Sequence, residues 1–364
     1  MAASAAVIRE FGQPPGMERF DPPPLAPGGV LVRIAAAGVC GSDVHMWRGL
    51  DPRIRLPLVP GHEGVGTVEA AEGEASDVLG RPLEAGDLII WDRGITCGRC
   101  HACAVLRRPA LCANRQVYGI TRQGCYATHL ALDPATRIIT APAGADPAAL
   151  AAAACAGATV AHAFEYCSVG PGDTVVVQGP GPTGLFAVAF ARAAGASHVI
   201  ALGTERSRAR LEMCEAFGAD LTLTVDGTTA EAREAAVLER SGGLGAAAVF
   251  DCTGRPAALE EGLRLAATGG AYLMVGIATP VGETAIRPYE DVARKNLRVQ
   301  GVWVSDTSHL YRAVALVASG RFPFERMVTH RFPLEEAGAA LEAVESRRAV
   351  KAVLEPGGPG AAGP

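Results

Sequence analysis

The run Thr174-Val-Val-Val-Gln178 leads directly into Gly179-Pro-Gly181-Pro182-Thr183-Gly184, and a helical pattern follows from Leu185. No other feature of the chain narrows its fold so far. A β-branched stretch, glycines at this spacing and then a helix open a strand–turn–helix unit of a parallel sheet. The first glycine permits the tight turn, the second lets backbone approach a pyrophosphate, and the third lets helix and strand pack closely. The helix N-terminus adds unpaired N–H groups and the positive end of its dipole. It is this context, and not the glycines alone, that implies a dinucleotide site.

From Pro147 onward Ala-rich helical stretches alternate with short strands, at His198–Leu202, Ala247–Asp251 and Ala271–Val275. That order predicts a doubly wound parallel α/β sheet. Before it, Val30–Ala35, Gly64–Ala70 and Asp87–Trp91 alternate like half-buried strands between Gly and Pro turns, which predicts a barrel-like β domain. Beyond Asn296 the pattern gives helices over His309–Ser319 and Leu334–Ser346 and a last strand at Val350–Leu354. A chain of 364 residues suits two domains. The expected division is 1–154, 155–298 and 299–355, with a disordered Gly, Pro and Ala tail over 356–364.

Lys and Arg number 33 against 38 Asp and Glu, a net charge of −5 with no basic block, which argues against nucleic acid as a partner. No stretch reads as a membrane span of about 18 apolar residues. The N-terminus meets Arg9 and Glu10 before any signal-peptide core can form. Ten cysteines without a secretion signal imply reduced thiols and a cytoplasmic protein.

Four of those cysteines, Cys97, Cys100, Cys103 and Cys112, are close enough in sequence to close a tetrahedral zinc shell, leaving no open position. An iron–sulfur cluster is the rival; the eight-residue gap before Cys112 and the missing Cys-Pro speak against it. Three separated segments offer a second set. Cys40 stands in Gly38-Val-Cys40-Gly-Ser42-Asp43-Val-His45, His62 in Gly61-His62-Glu63-Gly64, and Cys155 in Ala154-Cys155-Ala-Gly157-Ala-Thr159. Two thiolates and an imidazole make a three-ligand zinc site with its fourth position free for chemistry.

With these motifs the chain resembles the zinc-dependent medium-chain alcohol dehydrogenase family, from about Val30 to Leu354. The resemblance implies a GroES-like catalytic domain built from both chain ends around a Rossmann domain. It also implies Cys40, His62 and Cys155 as catalytic zinc ligands, with Glu63 an occasional fourth, and Asp43 orienting His62. Ser42 would touch the substrate oxygen and a relay through the cofactor ribose would carry the proton to His45. Thr159, Thr183, Gly276 and Ile277 would contact the nicotinamide, and Lys351 the pyrophosphate. The pocket would be lined by Ser42, Trp47, Trp91 to Arg93, Tyr118 and Trp303. Arg93, where many relatives have an apolar or small group, suggests a substrate with hydroxyls or an anion; the alternative points it to solvent. The cysteine lobe is one residue longer than the spacing commonest in the family.

The expected activity is hydride transfer between a secondary or polar alcohol and a nicotinamide cofactor, giving an aldehyde or ketone. Two zinc ions per chain and a homodimer or homotetramer go with it. A zinc-free quinone or enoyl reductase of the same fold would lack the ligand residues, and a non-enzymatic zinc module would leave the dinucleotide loop without purpose. Cofactor choice rests on Gly203-Thr204-Glu205-Arg206-Ser207-Arg208. The acid usual at the strand end, about 20 residues after the glycines, is absent at Gly203 and comes late as Glu205. Glu205 on the ribose diol favours NAD, while Thr204, Arg206 and Arg208 on a 2′-phosphate would favour NADP. Because Glu205 repels that phosphate, kcat/KM should be higher with NAD; a strong preference for NADP in a side-by-side assay would overturn this reading.

Overall fold

The computed structural model describes residues 3–358; residues 359–364 of the expected tail lie outside the described residues. Two compact units emerge. One takes the chain up to Cys155 together with Ser305–Ser319 and the stretch from Phe324 on, and the other takes Ala156–Val304 with Gly320–Pro323.

In the second unit every residue of the strand Thr174–Gln178 is buried, as a strand covered on both faces requires. It pairs in parallel with His198–Gly203 on one side and Ala246–Asp251 on the other. Leu221–Thr224 extends the first side; Ala266–Met274 and then Arg298–Gly301 extend the second. All six strands are parallel, and their order reverses beside Thr174–Gln178, which makes the crevice where such sheets bind nucleotides. Val176, Ile200, Val249, Leu263 and Tyr272 form its core. Because the sixth strand is Arg298–Gly301, this unit runs past residue 298.

The first unit is organised by the long strand Val30–Val39. Gly64–Ala71, His129–Leu132 and Lys351–Leu354 all pair with it antiparallel. Leu88–Trp91 and Ile138–Thr140 continue one edge, and Val328–Phe332 the other. Register shifts at Leu31/Val32 and Ile34/Ala36 bend the long strand, which lets it serve several partners. Its core includes Val32, Ile34, Trp91, Tyr126, Leu341 and Leu354, so residues from both chain ends share one apolar cluster.

Two sequence expectations change. The helix Gly41–Trp47 forms inside the strand-rich N-terminal part, started by Asp43, whose Oδ2 accepts the Cys40 N–H at 2.8 Å. The second concerns membrane spans. Pro147–Tyr166 forms 20 helical residues of mean hydropathy 1.4, long and apolar enough to cross a membrane, although no span was expected. Alanines make the run apolar without side-chain bulk, and 78% of it is buried inside the protein, as in a core helix. Leu341 is fully buried in the shared cluster. Leu341→Ala should therefore cost about 2–5 kcal/mol, read as a lowered midpoint of urea unfolding.

Candidate active site

Within the first unit, Cys40, His62, Glu63 and Cys155 place one ligand atom each within 4.8 Å of one another. Three chain segments make this possible. Cys40 follows the strand Val30–Val39 and caps the helix Gly41–Trp47, His62 and Glu63 precede the strand Gly64–Ala71, and Cys155 lies in a helical turn over Ala153–Gly157.

Asp43 fixes the first two. Wholly buried, its carboxylate accepts from His62 Nδ1 at 3.1 Å, from the Cys40 N–H at 2.8 Å and from the Tyr126 hydroxyl at 3.3 Å. With Nδ1 so engaged, His62 turns Nε2 toward the donor set, where Ser42 Oγ lies 3.4 Å away. Burial disfavours the imidazolium, but Asp43 outweighs it and raises the His62 pKa to about 10. Asp43 is itself held below the usual carboxylate range by His62 against the opposing effect of burial. Of the two thiols, Cys155 is lowered, first by the hydrogen bond from Cys40, while Cys40 is raised by that bond and by burial.

The motif glycines are spatial requirements. Gly61 is left-handed at φ +95°, and a Cβ there would collide with the ring of Tyr126; one at Gly64 would strike Trp91. A Cβ on Gly38 would overlap the carboxylate of Glu63. Glu63 is fully buried, pairs through Oε2 with Lys351, and leaves Oε1 with no hydrogen-bond partner among the described residues. A buried, unsatisfied carboxylate oxygen beside two thiols and an imidazole is the donor set of a divalent metal. Zinc fits here.

The lobe around Cys97, Cys100, Cys103 and Cys112 is closed by the short pair Gly94–Ile95 with Gln116–Val117. Four sulfurs bonded at 2.3 Å to a common centre would stand about 3.8 Å apart. The observed separations are 3.6 Å for Cys100–Cys103, 3.8 Å for Cys100–Cys112 and 3.6 Å for Cys97–Cys112. N–H groups of Cys97 and Cys100 also point at sulfurs at 3.4 Å. A tetrahedral zinc fits this lobe as well.

In the other unit, Gly179 is left-handed at φ +96°, Gly181 leaves open space where a Cβ would stand, and a Cβ on Gly184 would overlap the Gly179 carbonyl. The helix Pro182–Ala194 starts from Gly181 with Pro182 in its first turn and Thr183 beside it. Thr159 stands on the helix Ala158–Ala163. Gly276 and Ile277 follow the strand Ala266–Met274, and a Cβ on Gly276 would lie 2.5 Å from the Cys252 carbonyl carbon. At the end of the strand His198–Gly203, a Cβ on Gly203 would meet Ser207 Oγ at 2.8 Å. Ser207 Oγ is held by the Thr204 N–H at 2.8 Å. Glu205 accepts from Thr224 Oγ1 at 2.6 Å and pairs with Arg208.

Family models agree with this geometry. Residues 26–143 match an alcohol dehydrogenase GroES-like domain and residues 182–319 a zinc-binding dehydrogenase domain. The chain is 38% identical over 343 residues to 5-exo-hydroxycamphor dehydrogenase of Pseudomonas putida, covering 92% of this chain and 93% of that one. The chain belongs to the zinc-dependent medium-chain dehydrogenase family. The solved alcohol dehydrogenase of Thermotoga maritima superposes with a TM-score of 0.95 at 44% identity, covering 98% of this chain and 99% of the other. A zinc-binding dehydrogenase of Sinorhizobium meliloti 1021, solved bound to NADP, superposes at 0.88 with 28% identity, covering 98% and 100%.

One placement, that of Lys351, differs from expectation. Lys351 is 2% exposed and donates to Glu63 and to the Val39 carbonyl, so it is spent behind the donor set and does not reach a pyrophosphate. Arg93 does not face solvent; it is 7% exposed and its Nη1 donates to Cys155 Sγ at 2.7 Å. Trp47 and Tyr118 are buried with their polar ends tied to the Gln13 carbonyl and to Thr136, and Trp303 lies in the other unit. Tyr126, which braces Asp43, and Gly38 were not picked out as functional in the sequence; glycine beside a ligand-bearing strand end was the only signal. Asp43→Asn should weaken zinc at the Cys40–His62–Cys155 set roughly 10- to 100-fold while sparing the four-cysteine lobe, read by chelator competition with zinc counted per chain.

Proposed function

We propose that this protein is an NAD(P)-dependent alcohol dehydrogenase whose Cys40, His62 and Cys155 hold a catalytic zinc and whose Cys97, Cys100, Cys103 and Cys112 hold a structural one. The observation that carries this reading is the convergence of Cys40, His62, Glu63 and Cys155 beside Ser42. The first unit would be the catalytic domain and Ala156–Val304 the cofactor-binding domain. Zinc, when bound, supplies a Lewis acid that acidifies an alcohol hydroxyl or polarises a carbonyl. A nicotinamide cofactor, held by the glycine loop, would supply the acceptor or donor of the hydride.

The chain's own residues do the rest. Asp43 keeps His62 in the tautomer with Nε2 free to ligate. Ser42, whose hydroxyl both donates and accepts, takes the proton of the substrate oxygen and passes it on. His45, on the same short helix, is half-buried, and its Nδ1 is buried with no partner among the described residues, which suits a group that exchanges protons along a relay. Glu63, held off by Lys351, offers a spare oxygen to the metal. Gly179, Gly181, Pro182, Thr183 and Gly184 would cradle the pyrophosphate, with Thr159, Thr183, Gly276 and Ile277 on the nicotinamide side. Gly203, Thr204, Glu205 and Arg208 would receive the adenosine ribose. The carboxylate of Glu205 supports NAD; the NADP-bound relative keeps NADP as the alternative.

The partner is a small alcohol or carbonyl compound. We place the protein in the cytoplasm on its ten cysteines, none in a disulfide, and propose a homodimer or homotetramer, which the exposed edge strand Arg298–Gly301 could join by pairing with a second copy. Screening alcohols for appearance of reduced cofactor, with zinc counted alongside, tests the class; about two zinc per chain and turnover are expected. His45→Ala should lower kcat roughly 10- to 100-fold, reshape its pH profile and be partly rescued by imidazole buffer. An unchanged profile would remove His45 from the relay.

A further inference from the structure

Buried ionic groups in the first unit come in partnered sets, with one exception. Glu63 is paired with Lys351, and Asp43 is held by His62, Cys40 and Tyr126. Asp92 is held by Arg115, by the Gly94 N–H at 2.8 Å and by Thr307 Oγ1 at 3.0 Å. Arg93 stands apart. Among the described residues its guanidinium has a single hydrogen-bond acceptor, Cys155 Sγ, and no carboxylate within ion-pair distance. A guanidinium carries five N–H donors in a planar fork shaped for a carboxylate. Keeping such a cation out of water with one sulfur as its acceptor is costly, and an anionic ligand would relieve that cost.

The position of this cation is informative. Arg93 is one hydrogen bond away from a thiol that, in the function proposed above, ligates the catalytic metal. If Cys155 gives its negative charge to the metal, Arg93 loses the compensation it has from that sulfur. Its remaining donors then belong to whatever occupies the site. A neutral apolar alcohol would leave them unmet, whereas a carboxylate accepts two at once. Two neighbours cannot fill that role, since Asp92 is already occupied by Arg115 and Glu63 by Lys351.

We propose that Arg93 is a specificity-determining residue that binds a carboxylate carried by the substrate close to its carbinol carbon, so that the enzyme acts on hydroxy acids. This rests on the dehydrogenase reading above. The reaction balances as an ordinary alcohol oxidation: the carbinol carbon gives its hydride to the oxidised nicotinamide, the hydroxyl proton leaves for solvent, and an oxo acid results.

The test uses the zinc-loaded full chain and two readouts. In the first, kcat/KM is compared for lactate against its neutral isostere lactamide, and for 3-hydroxybutyrate against its amide. In the second, binding of acetate and of acetamide is measured by titration calorimetry without turnover. The wild-type protein should favour the acid member of at least one substrate pair, and acetate over acetamide, by roughly 10- to 100-fold. Arg93→Leu should erase both preferences, and Arg93→Lys, which keeps the charge without the fork, should keep part of them. Zinc content and circular dichroism identify a variant that fails to fold, in which case Arg93→Lys decides through a weakened preference. Turnover of neutral alcohols with no preference for acids overturns the role of Arg93 and leaves the dehydrogenase standing. A protein with two zinc ions that turns over no alcohol overturns the dehydrogenase, and the calorimetry still decides Arg93: acetate binding lost in Arg93→Leu supports it, binding retained sinks it.

Discussion

A carboxylate taken wholly out of water has to be satisfied by its surroundings, and the way Asp43 meets that demand sets up the rest of the site. Its oxygens hold the ring of His62, the backbone of Cys40 and the hydroxyl of Tyr126. One side chain therefore orients one ligand, anchors the backbone of a second and starts the helix that carries Ser42 and His45. The glycines follow from the same demand. Tyr126 can reach Asp43 only because Gly61 gives up the space where a Cβ would stand, and Glu63 can lie beside the donor set only because Gly38 does the same.

Charge is managed in the same compact way. Two thiols and two carboxylates crowd together, and two cations answer them: Lys351 pairs with Glu63, and Arg93 touches Cys155. Lys351 arrives on the strand Lys351–Leu354, from the far end of the chain, which ties the return of the C-terminal segment to the electrostatics of the ligand cluster as well as to its packing. Replacing Lys351 would disturb a buried ion pair on a strand that is paired on both sides.

Much of this was legible in the sequence where the cause is local. Thr174–Gln178 with Gly179, Gly181 and Gly184 announces its strand, turn and helix because the three elements are contiguous: Gly179 makes the left-handed turn, and a Cβ on Gly184 would overlap the Gly179 carbonyl. The four cysteines of the lobe are close neighbours in the chain, and so their meeting could be expected. The set of Cys40, His62 and Cys155 was less accessible, since no spacing rule joins three distant segments; family resemblance supplied it. What escaped depends on partners remote in sequence. Lys351 looked like a cation for phosphate, because nothing near residue 351 tells that Glu63 waits for it. For Arg93 the sequence left the pocket and solvent both open, since nothing near residue 93 tells that Cys155 lies beside it. The strand Arg298–Gly301 was not foreseen because it is short, holds a single apolar side chain, Val299, and is mostly exposed, as befits a sheet edge. The run Pro147–Tyr166 was passed over because its hydropathy comes from alanine and not from bulky side chains.

Gly203 carries a consequence for how such an enzyme can change. Ser207 sits where a side chain at the strand end would begin, and its hydroxyl is bound to the backbone of Thr204 at both the N–H and the carbonyl, each at 2.8 Å. An aspartate placed at 203 would have to displace that cap and press on Leu211, whose side-chain carbons lie 3.1 Å from the new Cβ. No single substitution restores the acid usual at this point of a dinucleotide fold without undoing the turn that follows it. Any lineage, or any engineer, wishing to move ribose recognition back to the strand end must alter 203 and 207 together. Packing at 203 thus keeps an acid off the strand end and leaves Glu205, two residues on, as the first acid after it.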